Sequence, residues 1–159
     1  MNTLSERFSL WYRWSRRGGI DHYGLPGVYA IAITSERIHG RPFSWILQIR
    51  YIGMTVSIAG LKGRLQQFDT TLHGPVRHGG ADRVRYKYPD YATLKNRLYV
   101  AVASVQCDVT NLTPANLRRM GEVVCLEYMC LAEYRDKCGD LPWFNDKPRS
   151  PKSSKLTID

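Results

Sequence analysis

Tyr29, Tyr51, Arg64 and Glu127 stand far apart in the chain, and together they carry the groups that chemistry on a phosphate ester requires. A phenolate can accept a proton from water. A guanidinium offers paired donors to phosphate and spreads positive charge where a transition state gathers negative charge, and a carboxylate turned inward can hold a divalent cation. Taken singly, each has a plain structural reading: a core glutamate paired to an arginine, a surface arginine, a packed tyrosine. Taken together, beside a basic surface, the set suggests phosphodiester chemistry with a metal.

The elements that must position these groups follow from periodicity. Pro26-Gly27-Val28-Tyr29-Ala30-Ile31 begins a strand over 27 to 34, and Arg50-Tyr51-Ile52-Gly53 ends a second over 44 to 52. Side chains alternate along a strand, so Tyr29 shares a face with Ile31 and Ile33, and Tyr51 with Leu47 and Ile49. An antiparallel hairpin centred near Gly40 then sets Tyr29 roughly opposite Tyr51. Leu61, Leu65, Phe68 and Leu72 recur at helical spacing, which predicts a helix over 58 to 73, stopped by Gly74-Pro75, with Arg64 beside its apolar stripe. A third, buried strand is expected over 98 to 105. The last helix opens on Thr113 as N-cap with Pro114 behind it and runs to about Lys137, with Gly139 just beyond. Leu117, Met120, Val124, Leu131, Tyr134 and Cys138 form its expected inner stripe, with Glu127 near the centre and Glu122 and Glu133 turned away. The fold class is therefore α/β of the α+β type, a central three-stranded antiparallel sheet flanked by helices.

A chain of 159 residues fits one domain. Residues 1–25 read as a basic amphipathic extension with a short helix over Leu4 to Trp14. Residues 26–147 form the domain proper, with an insertion over 75–95 that has no clean period, and 148–159 read as a flexible basic tail. Net charge is +9, and the cations lie among aromatics, which points to a polyanionic partner, nucleic acid before membrane. Arg13, Arg16 and Arg17 in the extension, with Arg77, Arg83, Arg85, Lys87 and Lys95 in the insertion, are the candidate nucleic-acid contacts. The four cysteines show no metal-ligand spacing and read as reduced thiols packed as small apolar residues. No apolar run approaches the roughly 20 residues of a membrane span, and the first residues lack a signal peptide's apolar stretch, so a cytoplasmic location is expected.

In order along the chain, Gly27-Val28-Tyr29, Tyr51-Ile52-Gly53, the segment Gly60-Leu61-Lys62-Gly63-Arg64-Leu65, Leu126-Glu127 and Pro142-Trp143-Phe144-Asn145 resemble the successive motifs of the GIY-YIG nucleases. The resemblance covers roughly residues 26 to 146. It implies a metal-dependent endonuclease acting on DNA, with Glu127 holding one Mg²⁺ or Mn²⁺ and Arg64 stabilising charge on phosphorus. Tyr51, and after it Tyr29, would serve as general base, and Asn145 would orient the site by hydrogen bonds. The chain departs from the family in two places. Met54 stands where a lysine is common, so Lys62 is the substitute cation, and Phe68 stands where a histidine or tyrosine is common, so His73 is the substitute proton carrier. A rival reading keeps the fold as a nucleic-acid-binding module without cleavage, and a second makes Glu127 a structural ion-pair partner. Cutting both strands with one site calls for a dimer or repeated binding, but no sequence feature marks a dimer interface.

Overall fold

The computed structural model describes residues 3–153. It is a mixed α and β fold built on an antiparallel sheet of four strands: β1 (Tyr12–Arg13), β2 (Gly27–Ile33), β3 (Ile49–Thr55) and β4 (Leu98–Ser104), in the order β1-β4-β2-β3. Four helices accompany it: α1 (Gly60–His73), α2 (Gly79–Lys87), α3 (Tyr91–Leu94) and α4 (Pro114–Cys138). β2 lies between β4 and β3, and all seven of its residues are buried. Alternation sends Tyr29, Ile31 and Ile33 to one face, against Leu61, Leu65, Phe68 and Leu72 of α1 and Ala81 and Val84 of α2. Val28, Ala30 and Ala32 go to the other, against Val123, Leu126, Cys130 and Tyr134 of α4. Each fully buried Leu or Phe on α1 contributes about 1.5–3 kcal/mol, so these two apolar layers hold the sheet between its helices.

The helix bounds expected for α1 and α4 agree with the structure to within two residues. The Thr113 hydroxyl accepts from the Asn116 N–H, Pro114 opens α4, and Gly139 closes it at φ 86°. Several expectations need correction. The sheet has a fourth strand, because the N-terminal segment runs along β4 instead of forming a helix over Leu4 to Trp14. Short 3-10 helices occupy Leu4–Arg7 and Trp14–Gly19 around it. Trp11 and Trp14 pack into opposite layers, so residues 1–25 are, from Thr3 onward, part of the domain and not a lead-in. The second strand begins later than 44, at Ile49. The insertion over 75–95 is not a loop: His78 and Asp90 cap α2 and α3, and Ala81, Val84 and Leu94 supply the buried apolar positions. Within the supposed flexible tail, Ser150 is buried and Arg83 donates to the carbonyls of Lys147 and Ser150, so residues 148–153 lie packed along α2. Residues 154–159 of that tail lie outside the described residues.

All four cysteines are free thiols. No helix among the described residues is long and apolar enough to cross a membrane.

Candidate active site

A cavity of about 450 Å³ is lined by Tyr51 of β3, Arg64 of α1, Glu127 of α4 and Asn145, with Arg83, Lys147 and Lys152 also on its wall. It lies at the open edge of the sheet, since β3 has a neighbour on one side only. That placement explains how groups from opposite layers meet. Tyr51 and Arg64 belong to the α1 layer, whereas Glu127 reaches round the β3 edge from α4 on the other face. The expected α4 stripe is therefore rotated. Val123, Leu126, Cys130 and Tyr134 face the sheet, Leu117 and Val124 are exposed, and Glu127 sits at the margin of the buried stripe, not at its centre. A carboxylate at the centre would point into apolar side chains; at the margin it meets the cavity.

The two tyrosines share a face, as expected, but they are not opposite each other. Tyr29 pairs with Gly53 and Tyr51 with Ile31, so the phenols are diagonal neighbours with ring centroids 6.1 Å apart. A bulge at Arg50 lets Ile49 turn to the α4 layer while Tyr51 stays in the α1 layer. This breaks the face that Tyr51 was expected to share with Leu47 and Ile49. Glycine makes the diagonal possible: a Cβ at Gly53 would sit 2.5 Å from the Tyr29 hydroxyl and 2.8 Å from Tyr51 Cε1. Gly80 does the same from α2, where a Cβ would lie 2.5 Å from Tyr51 Cζ.

Tyr29 has no exposed surface and does not line the cavity; Tyr51 does. Burial drives the Tyr29 phenol well above its ordinary value, aided by the charge of Tyr51 and opposed by Arg64. Burial also raises Tyr51, aided by the charge of Glu127 and opposed by Arg64, Tyr29 and Arg83. Behind them lies a residue that sequence reasoning missed. His78 Nε2 is 2.6 Å from the Tyr29 hydroxyl oxygen, and the ring packs on Phe68 at 4.9 Å between centroids. His78 is the N-cap of α2, so the histidine beside these tyrosines comes from a different helix than Phe68 and His73 of α1. A histidine before Gly79-Gly80, read as loop, gave no periodic signal to mark it.

Arg64 is half-buried. One terminal nitrogen donates to Gln67 Oε1 at 3.1 Å, while its Nε is buried without a hydrogen-bond partner. Glu127 makes no hydrogen bond or ion pair among the described residues. Burial raises its carboxyl above the ordinary range and the Arg64 charge opposes that rise. The reading of Glu127 as a salt-bridged structural residue therefore loses its partner. Among the described residues no three or more His, Cys, Asp or Glu side chains are grouped so as to hold a metal ion, but one unpaired carboxylate beside a basic cavity fits a Mg²⁺ ion whose other ligands are water and phosphate oxygens.

Other expected site residues do different work. Asn145 accepts from Ile52 N–H and donates to Ile52 carbonyl, both at 2.8 Å, so its amide is spent on pairing with the β3 edge. Those bonds hold the strand residue next to Tyr51. Lys62 is exposed on another face of α1, beside Tyr23 and Gln66. His73 lies near Asp69 at 3.4 Å and packs at a tilt against Tyr91, away from the cavity. Of the expected nucleic-acid contacts, Arg83 alone lines the cavity. Arg85 donates to the carbonyls of Thr71 and Gly74, Lys87 lies over Trp143 and Lys95 over Tyr91, while Arg77 is exposed. Arg17 stacks on Trp14 and faces Asp69, and Arg13 and Arg16 line a separate cavity with Arg37 and His39 near β1, the opposite edge of the sheet.

Compared with known proteins, the chain matches no family model, no curated protein and no solved structure.

Proposed function

We propose that this chain is a metal-dependent endonuclease of the GIY-YIG type that hydrolyses phosphodiester bonds in DNA. The observation that carries the reading is the cavity at the β3 edge, where Tyr51, Arg64 and an unpaired Glu127 meet from three distant segments among Arg83, Lys147 and Lys152. Four cations around one free carboxylate suit a phosphate backbone and a single divalent ion better than they suit a neutral ligand. Mg²⁺, when bound at Glu127, would supply positive charge for a phosphate oxygen.

The protein's own groups have separable tasks in this reading. Arg83, Lys147 and Lys152 hold the backbone by charge. The Tyr51 phenolate takes a proton from the attacking water as the water oxygen bonds to phosphorus; the ester P–O bond breaks, and the departing oxygen takes a proton from solvent. Arg64, which lines the cavity, donates to the oxygens on which charge builds. Asn145 and Gly53 hold the strand and the phenol in place. Plasmid nicking with Mg²⁺, Mn²⁺ or EDTA tests the reading: the wild type nicks only with metal, and Glu127→Gln binds DNA but does not nick. The alternative, a binding module without cleavage, draws support from Phe68, whose ring packs at 6.0 Å from that of Tyr51 where a proton carrier would otherwise stand. Binding with no metal-dependent nicking would decide for it.

A further inference from the structure

His78 is an unusual helix cap. Asn, Asp, Ser and Thr dominate that position because a short side-chain oxygen accepts from the first free N–H groups. Here the imidazole does it: His78 Nδ1 accepts from Gly80 N–H at 3.1 Å and Ala81 N–H at 3.2 Å. A ring nitrogen that accepts two hydrogen bonds carries no proton, so the neutral ring must carry its proton on Nε2. That nitrogen faces the Tyr29 hydroxyl oxygen at 2.6 Å. The Tyr29 oxygen is then the acceptor, and its own proton is left to point elsewhere. Tyr29 is wholly buried, and the neighbouring phenol on its sheet face is Tyr51.

We infer that His78 is a positioning residue: it fixes a donor chain in which His78 Nε2–H donates to Tyr29 and the Tyr29 hydroxyl proton is turned toward Tyr51, a phenol on the cavity wall. Each hydrogen bond in the chain stabilises negative charge at its far end. The opposite polarity, with Tyr29 donating to His78, would need a proton on Nδ1 and would leave the N–H groups of Gly80 and Ala81 unpaired. Burial and the Arg64 charge push His78 down to about 3, so the ring stays neutral over the working pH range and serves as a fixed donor, not as a base. The groups that act on Tyr51 from the surrounding elements are Arg64 on α1, Arg83 on α2, Glu127 on α4 and Tyr29 on β2. His78 reaches it only through Tyr29. The catalytic consequence rests on the nuclease reading; the polarity of the chain does not.

The test uses the full chain and two magnetic-resonance readouts that need no substrate. Nitrogen-15 spectra of the His78 ring should show the tautomer protonated on Nε2; a ring protonated on Nδ1 overturns the inference. 3,5-Difluorotyrosine incorporated at position 51, with its lower phenol pKa, lets fluorine spectra follow ionisation at that position while the protein stays folded. His78→Asn keeps a capping oxygen but cannot donate to Tyr29. Both His78→Asn and Tyr29→Phe should raise the midpoint at position 51 by about one pH unit, a tenfold loss of phenolate at fixed pH, and the double variant should add nothing further. Thermal melts confirm that the variants fold. An unchanged midpoint in folded His78→Asn, or additive shifts in the double variant, contradicts the chain. A protein that shows the shifts but cuts no DNA keeps the donor chain and loses the nuclease reading.

Discussion

Tyr51 faces the cavity with a phenol raised above its ordinary value of about 10 by burial, against Arg64, Tyr29 and Arg83. Below that folded value the phenolate fraction grows about tenfold per pH unit, so a mechanism that uses it must speed up as pH rises. We predict that the logarithm of the single-turnover cleavage rate climbs with a slope near one between about pH 7 and 9, and that Tyr51→Phe removes the climb. A flat profile in the wild type would rule Tyr51 out as the base. Gly80→Ala is predicted to act on the same residue by force. Its Cβ would lie 2.5 Å from Tyr51 Cζ, so the ring must move, and a phenol displaced by about 1 Å costs on the order of 10²-fold in rate. DNA affinity, measured by titration, should hardly change. The residue types of this site were legible from sequence alone. Their orientation was less so, because the bulge at Arg50 and the rotation of α4 shift which side chains share a face, and neither leaves a mark in the spacing of apolar residues.

At the scale of elements, the periodic ones were legible and the interrupted ones were not. β2, β4, α1 and α4 are long, capped or uniformly buried, so alternation and the helical repeat identify them. α2 interleaves Arg83, Arg85 and Lys87 with its apolar positions and takes a histidine as cap, which hides it as a polar loop. The N-terminal segment departs from a helix because its two tryptophans serve different layers, which a helical face cannot represent. One carboxylate ties that segment to the helices. Asp69 of α1 accepts from Trp14 Nε1 and from the Tyr91 hydroxyl, both at 2.7 Å, with Arg17 at 3.7 Å. Burial alone would raise its carboxyl, but these partners hold it below the ordinary value. Asp69→Asn should cost about 1.5–3 kcal/mol at neutral pH, read by denaturant unfolding. A depressed folded pKa means that this stability is present above the unfolded value of about 4 and is lost as pH falls through the folded one. The gap between wild type and Asp69→Asn should therefore narrow below about pH 4; a constant gap would mean that the charge contributes nothing.

Across the whole molecule, basic residues line cavities at two opposite edges of the sheet, a division within the net charge of +9. Arg83, Lys147 and Lys152 line the cavity beside β3, and Arg13 and Arg16 lie near β1. Composition could not make that division, since it depends on strand order and on the packing of residues 148–153 against α2. If DNA lies along the β3 edge, Lys147→Ala with Lys152→Ala should weaken binding and reduce the slope of log affinity against log salt by about 2, whereas Arg13→Ala with Arg16→Ala should change the slope by less. Equal effects would place DNA elsewhere. The central claim is that Tyr51, Arg64 and Glu127 form one catalytic unit, and single-turnover cleavage of a labelled duplex at saturating enzyme tests it most directly. Arg64→Ala and Glu127→Gln should each slow cleavage by at least about 10²- to 10³-fold at unchanged affinity, with the double variant far less impaired than the product of the two losses. Wild-type rates in either single variant, or losses that multiply in full, would contradict it.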